Sequence, residues 1–118
     1  MIEELVEKVF AARNEAHVAH WSTKSFAEHM ALSEFYDSII GLIDKLVEAY
    51  QGYYGLIKVK QLRTDLETDI LTWLNKDVQW IEKNREAIVP RENTALHNII
   101  DEAVGTYDKA LYKLRFLK

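Results

Sequence analysis

Residues 17–48 read HVAHWSTKSFAEHMALSEFYDSIIGLIDKLVE, and a short polar break at residues 22–25 interrupts their apolar pattern. Apolar residues recur every three to four positions on both sides of residues 22–25, as they do on the buried face of an amphipathic helix. The short segment between them carries serine and threonine hydroxyl groups, which commonly cap the start of a helix. The stretch therefore predicts an antiparallel pair of helices, the first over about residues 2–21 and the second over about residues 26–50.

Two further helices are predicted after this hairpin. Residues 64–67, Thr-Asp-Leu-Glu, have the form of a capping box that begins a third helix. Pro90 ends that helix, and Asn93 or Thr94 then caps a fourth helix that reaches about residue 116. Because each of the four segments is amphipathic, burial of their apolar faces predicts an all-α protein in which residues 1–118 form a single four-helix bundle domain.

The connection between the second and third helices determines how the bundle is wound. It runs from about Gly52 to Thr64, and roughly 12 extended residues reach about 40 Å, whereas a 20-residue helix is about 30 Å long. Ile57 and Val59 alternate with lysines, as in a segment that lies extended on a surface. We therefore expect a short extended crossover along the bundle rather than the tight turn of an up-and-down bundle.

Composition excludes several classes of function. The 118 residues contain no cysteine, which rules out disulfides, thiolate metal ligands and cysteine nucleophiles. No apolar run approaches the roughly 18 residues of a membrane span, and the acidic N-terminus differs from an export signal, so we expect a cytoplasmic protein without a membrane partner. The net charge of −4 argues against a nucleic-acid partner.

Three of the four histidines lie within thirteen residues of one another. His17 and His20 are three positions apart on one face of the first helix, and His29 is one turn into the second helix. A hairpin brings these three imidazole groups together. Imidazole and carboxylate groups form a ligand set that suits iron, zinc or manganese. His97 is remote from this group in sequence and is interpreted as a structural residue.

Two carboxylates of the second helix, Asp44 and Glu48, share a face with His29. At about 100° per residue, Asp44 lies roughly 60° and Glu48 roughly 100° around the helix from His29. The 15 residues from His29 to Asp44 correspond to about 22 Å along the axis, so one chain cannot join them around an ion. A second copy, antiparallel and related by a two-fold axis, would place the Asp44 end of one chain beside the His29 end of the other.

Other interpretations of the same residues stay open at this point. The histidines can be core or interface residues satisfied by hydrogen bonds, and Asp44 and Glu48 can pair with Lys45 or lie in a solvated stripe. A di-iron site within one bundle is disfavoured. Such sites use Glu-x-x-His motifs on two helices, and no histidine here has a glutamate three positions before it.

Three motifs resemble those of the miniferritins, the Dps-like branch of the ferritin-like superfamily. They are HVAHW at residues 17–21, FAEH at residues 26–29, and the D-x-x-x-E formed by Asp44 and Glu48. In that family, His-x-x-His-Trp, Phe-x-x-His and Asp-x-x-x-Glu motifs form the ferroxidase centre. The resemblance covers about the first 50 residues and implies a ferritin-like four-helix bundle.

The resemblance also implies a function for these residues. The implied ligands of a ferroxidase-type iron site are His20 and His29 of one chain with Asp44 and Glu48 of its two-fold mate, and His17 is a further candidate ligand. Such a site holds one or two iron ions and oxidises ferrous iron with peroxide or dioxygen. The protein would then be a homodimer, or a larger shell of such dimers, that serves iron detoxification or storage. The alternative is a non-catalytic ferritin-like structural or protein-interaction module whose site is empty or holds zinc.

Overall fold

The computed structural model describes residues 1–59 and 69–117 of the chain. The helices are α1 (Ile2–Ser22), α2 (Phe26–Tyr54), α3 (Ile70–Ile88) and α4 (Thr94–Phe116). No strand occurs in these two ranges, and the all-α class predicted from the sequence is confirmed. None of the described helices is long and apolar enough to cross a membrane.

Polar caps and one glycine set the ends of α2 and α4. The Ser25 hydroxyl oxygen accepts a hydrogen bond from Glu28 N at 3.2 Å and begins α2. This helix ends before Gly55, whose φ of 101° favours a residue without a Cβ. Asn93 caps α4 by accepting a hydrogen bond from Leu96 N at 3.2 Å. Compared with the prediction, α2 is about one turn longer, because its glycine-containing last turn stays helical.

The third helix begins after Asp69, whose carboxylate accepts a hydrogen bond from Thr72 N at 2.9 Å. The capping box predicted at residues 64–67 lies outside the described residues. At its other end, α3 stops at Ile88, two residues before Pro90. The residue before a proline disfavours helical backbone, which is why the helix ends there as predicted.

Each helix packs against two neighbours within the described part of the bundle. Helix α1 contacts α2 and α3, and α4 also contacts α2 and α3, so that α2 and α3 occupy diagonal corners. Helices α2 and α4 are antiparallel. Near the start of α2, Glu34 pairs with Lys109 at 2.6 Å, and further along α2, Lys45 pairs with Glu102 at 3.8 Å.

Helices α3 and α4 are antiparallel as well. Asn75 near the start of α3 accepts a hydrogen bond from Arg115 near the end of α4 at 3.3 Å, and Arg85 pairs with Asp101 at 2.6 Å. Because both α2 and α3 are antiparallel to α4, they run in the same direction. The end of α2 and the start of α3 therefore lie at opposite ends of the bundle. The connection between them must cross its length, which an up-and-down bundle does not require.

The first part of this connection lies along α1 and α2. Ile57 N donates a hydrogen bond to Gln51 Oε1 at 3.1 Å, and the Ile57 side chain packs partly buried against the core. Val59 and Ile57 line a groove between α1 and α2, whereas Lys58 is exposed. The predicted alternation is thus present up to Val59, and the remainder of the predicted crossover, residues 60–68, lies outside the described residues.

The core contains an acidic group that the apolar pattern does not predict. Asp77 is 4% exposed and lies between Leu74 and Ile81 on the buried face of α3. The hydroxyl of Tyr107, which is fully buried in α4, donates a hydrogen bond to Asp77 Oδ2 at 2.9 Å. Burial raises the pKa of Asp77 to about 6, against smaller lowering effects of the Tyr107 hydrogen bond and the Lys8 charge.

Replacement of Asp77 by asparagine should change how stability depends on pH. The ordinary pKa of 3.8 is raised to about 6, so between these values the folded protein keeps a proton that the unfolded chain has released. From this group alone, the wild-type free energy of unfolding should fall by about 2–3 kcal/mol between about pH 4 and pH 7. Asp77→Asn keeps an acceptor for Tyr107 but has no charge, so it should lack this loss. Urea denaturation of both proteins at the two pH values measures it, and an equal change in the free energy of unfolding of both proteins between about pH 4 and pH 7 would contradict the assignment.

Candidate metal centre

The structure brings the predicted ligands His20 and His29 together where α1 ends and α2 begins. Their rings stack with centroids 3.5 Å apart and an interplanar angle of 21°. His20 Nδ1 lies 2.7 Å from the carbonyl oxygen of His29, and His29 Nδ1 lies 2.9 Å from the carbonyl oxygen of His20. The two residues hold each other by reciprocal hydrogen bonds, which also tie the end of α1 to the start of α2.

These hydrogen bonds assign the tautomer of both imidazole groups. A carbonyl oxygen can only accept a hydrogen bond, so Nδ1 of each ring must carry the proton and donate. In a neutral imidazole the other nitrogen, Nε2, then has the free lone pair that binds a metal ion. Metal-binding histidines commonly donate their second ring N–H to a backbone carbonyl in this way, which fixes the ring orientation. The hydrogen bonds therefore leave Nε2 of each ring as the atom that could bind a divalent cation.

His17, the third histidine of the group, has a different environment. Its ring stacks on that of Tyr36 from α2, with centroids 4.1 Å apart and an interplanar angle of 16°. The centroid of the His17 ring is also 4.6 Å from that of the Trp21 ring and 6.3 Å from that of the His20 ring. His17 thus lies beside the histidine pair within an aromatic cluster rather than in the pair itself.

Tyr36 also belongs to this site, although the sequence pattern did not predict it. Besides stacking on His17, its ring meets the edge of the His20 ring at a centroid distance of 5.4 Å. The Arg13 guanidinium carbon lies over the Tyr36 ring, 5.3 Å from the ring centroid. Its position could have been predicted from helical spacing. Tyr36 follows His29 by seven residues and therefore lies two helical turns along the same face of α2.

Asp44 and Glu48 lie one turn apart on the exposed face of α2. Asp44 raises the pKa of Glu48, first through a hydrogen bond between the two carboxyl groups and then through charge repulsion. Lys45 pairs with Glu102 of α4 instead of with these residues. Among the described residues, neither carboxylate forms an ion pair. The two side chains concentrate negative charge on the surface, and a bound cation would relieve their repulsion.

The histidine pair and the carboxylate pair lie towards opposite ends of one continuous helix. Because α2 is unbroken over Phe26–Tyr54, the 15 residues from His29 to Asp44 place them about 22 Å apart along the axis. Within residues 1–59 and 69–117, no three His, Asp or Glu side chains are grouped closely enough to hold a metal ion. A single chain carries both groups of candidate ligands without joining them.

His97 belongs to a separate network between α3 and α4. Its Nε2 lies 3.0 Å from the carbonyl oxygen of Val89, and its Nδ1 accepts a hydrogen bond from Arg85 Nε at 3.2 Å. Arg85 also donates to the His97 carbonyl oxygen at 2.9 Å. Since both ring nitrogens of His97 are engaged with protein atoms, this histidine supports the α3–α4 turn.

The fold and these groups define a four-helix bundle protein that carries two separated halves of a candidate metal site. The chain belongs to a family of unknown function, DUF5856, whose model matches residues 20–114 and so includes both pairs of candidate ligands. It is similar to a protein of Enterobacteria phage T4 described as an uncharacterized 14.6 kDa protein in the mobD-ri intergenic region. The two are 28% identical over 114 residues, which cover 95% of this chain and 86% of that protein. No solved structure matches the chain.

Replacing Asp44 by asparagine should lower the pKa of Glu48 towards its ordinary value of 4.5. The variant removes the carboxyl group that shares a hydrogen bond with Glu48 and repels its charge. NMR titration of the Glu48 side-chain carboxyl carbon in metal-free protein measures this pKa. Glu102→Gln is the matched control, because Glu102 is an exposed carboxylate whose partner is Lys45. An unchanged Glu48 pKa in Asp44→Asn would mean that the two carboxyl groups do not interact.

Proposed function

We propose that this protein is a ferritin-like protein that binds ferrous iron at a site shared between two chains and oxidises it. The observation that carries the proposal is the pair of reciprocal hydrogen bonds between His20 and His29. They hold the two imidazole rings face to face through Nδ1, and no described hydrogen bond engages Nε2 of either ring. Side chains pre-arranged in this way lose little freedom when an ion binds.

The helix order supports the ferritin-like part of the proposal. Helices α2 and α3 run in the same direction at diagonal corners, so a single long connection joins two antiparallel helix pairs. Ferritin-like bundles have one long crossover connection of this kind. The miniferritin motifs fall on α1 and α2, the pair on which the candidate ligands lie.

The two-fold dimer follows from the distance between the half sites. An antiparallel second copy of α2 brings the carboxylates of one chain to the histidines of the other, and two-fold symmetry then forms the site twice. Each site combines two neutral imidazoles, His20 and His29, with two carboxylates, Asp44 and Glu48. The carboxylates offset the charge of a divalent cation, and the mixed nitrogen and oxygen set suits iron, with zinc or manganese as chemically possible occupants.

The reaction is the oxidation of ferrous iron, with iron as the substrate. For every two ferrous ions that each lose one electron, one molecule of hydrogen peroxide accepts the two electrons, takes up two protons and leaves as two molecules of water. Dioxygen is the other candidate oxidant. The side chains of the site hold the iron and exclude part of the solvent, because the imidazole rings are half-buried in the aromatic cluster with Tyr36 and His17.

Anaerobic titration with ferrous iron tests the binding step. Wild-type protein should bind ferrous iron saturably, whereas His29→Ala and Asp44→Ala should each weaken binding by at least ten-fold, because each removes an iron ligand. His97→Gln is the matched control, since His97 lies in the α3–α4 network and should leave iron affinity unchanged. Equal iron affinity in all four proteins would remove the metal site from the proposal.

Mixing two inactive variants tests whether the site is shared between chains. One variant lacks both histidines (His20→Ala with His29→Ala), and the other lacks both carboxylates (Asp44→Ala with Glu48→Ala). A heterodimer of the two has one intact site and one empty site, so co-refolding equal amounts should restore about a quarter of the wild-type iron sites. No recovery on mixing, with each variant folded, would exclude a site built from two chains.

A structural role of the same group is the second candidate function. The reciprocal hydrogen bonds between His20 and His29 already fasten α1 to α2, so zinc at this position, or no ion, would serve a non-catalytic ferritin-like scaffold. The two functions differ in turnover. Consumption of hydrogen peroxide by protein with added ferrous iron, above the rate of free iron, supports oxidation, and tight zinc binding without such consumption supports the scaffold.

A further inference from the structure

An apolar groove lies between α1 and α2 on the outside of the bundle. Its volume is about 460 Å³, and its walls include Val6 and Phe10 of α1, Ile40 and Val47 of α2, and Ile57 beyond α2. Among its lining residues within the described ranges, Asp44 is the only charged one. With respect to residues 1–59 and 69–117 this apolar groove is open, and an open apolar groove of this size on a small protein is a candidate contact surface.

An apolar knob projects from the other end of the same helix pair. We define the knob as Trp21, Phe26 and Met30, which are 71%, 77% and 51% exposed. Phe26 precedes Asp44 by 18 residues, which is five full helical turns, so the two side chains project in the same direction from α2. Met30 and Glu48 are related in the same way. Phe26 and Met30, the two knob residues of α2, therefore share one exposed stripe with the carboxylate pair.

Gly41 lies on this side of α2 and lines the groove. Glycine destabilises the interior of a helix. Packing within one chain does not require glycine at this position, because nothing among the described residues lies within 4 Å of a Cβ built at position 41. Gly105 in α4 is equally open, so glycine alone does not mark an interface. Gly41 differs from Gly105 because it lines the groove, where the missing side chain leaves space for the backbone of a second helix.

We propose that a second copy of this chain covers the groove, and that the knob of each chain enters the groove of the other. The inference rests on the proposed function, because the shared iron site sets the antiparallel register of the two α2 helices. If His29 is level with the middle of the Asp44–Glu48 pair, the numbers of facing residues add to about 75. Met30 then comes level with residue 45, beside Val47 of the groove.

The register makes the interface self-complementary. Each chain supplies one knob and one groove, as a two-fold contact requires, and both contacts flank the iron sites. Apolar contact of this kind does not depend on iron, so the dimer forms in metal-free protein and presents the two half sites to each other. The interface thus explains how a site divided between chains is assembled before iron arrives.

Cross-linking through one introduced cysteine tests the register. In the proposed dimer, Asp37 is nearly level with its own copy, and the natural chain has no cysteine to interfere. Metal-free Asp37→Cys should form a disulfide-linked dimer under mild oxidation at least ten-fold faster than Lys76→Cys, which places an exposed thiol on α3. Equal slow cross-linking of both variants would overturn the proposed interface.

Two glycine variants test the groove itself. Gly41→Leu places a bulky side chain in the groove, where nothing described lies within 4 Å of its Cβ, and should weaken dimerisation at least ten-fold in analytical ultracentrifugation. Gly105→Leu, the matched change on α4, should leave dimerisation unchanged. Circular dichroism checks that both variants remain helical. A wild-type monomer, or equal dimerisation of both variants, would overturn the inference.

The outcomes separate this inference from the proposed function. Rapid Asp37→Cys cross-linking together with an absence of ferrous binding would leave the interface in place and remove the iron function. Ferrous binding that recovers on mixing the two variants, together with slow Asp37→Cys cross-linking, would keep the iron function and overturn this interface.

Discussion

The unbroken length of α2 is the constraint on which the rest of the structure depends. Its 29 residues span about 43 Å, close to the 44 Å long axis of the molecule. A straight helix of this length cannot bring its two ends together, so candidate ligands near its start and its end stay apart within one chain. The same length obliges the connection to α3 to travel back along the whole bundle before the second helix pair can begin.

The turn between α1 and α2 shows how short-range contacts orient two candidate ligands. Only three residues separate the helices, and the Thr23 hydroxyl donates a hydrogen bond to Glu28 Oε1 across the turn at 2.9 Å. This short turn leaves little freedom, so His20 and His29 stack and bond to each other's backbone. The hydrogen bonds that close the hairpin are therefore the ones that set the tautomer of both imidazoles. The same two hydrogen bonds thus join the ends of α1 and α2 and orient the two imidazole rings.

Two acidic groups illustrate how environment decides what a carboxyl group can do. Both have a raised pKa, but the causes differ: burial acts on Asp77, and the neighbouring Asp44 acts on the exposed Glu48. Asp77 is enclosed in the core and accepts a hydrogen bond from Tyr107, so its ionisation bears on stability. Glu48 and Asp44 face solvent on α2, where a cation or a second chain can reach them. Of these carboxyl groups, only Asp44 and Glu48 are therefore accessible to a ligand from solvent.

Local sequence pattern predicted the helical class, the short turn between the first two helices, a capping hydroxyl within residues 22–25 and a cap at Asn93 or Thr94, because these depend on neighbours a few residues apart. The structure then selected Ser25 and Asn93 as the caps. The spacing of His29, Asp44 and Glu48 on one helix also follows from the sequence, since helix geometry converts residue number into distance. Tertiary structure alone decided the reciprocal His20–His29 hydrogen bonds, which need two helix ends at contact distance. It alone placed α2 and α3 at diagonal corners and buried an acidic group of α3 against a tyrosine of α4. Such contacts depend on how separate helices pack against each other, and no local pattern encodes that geometry.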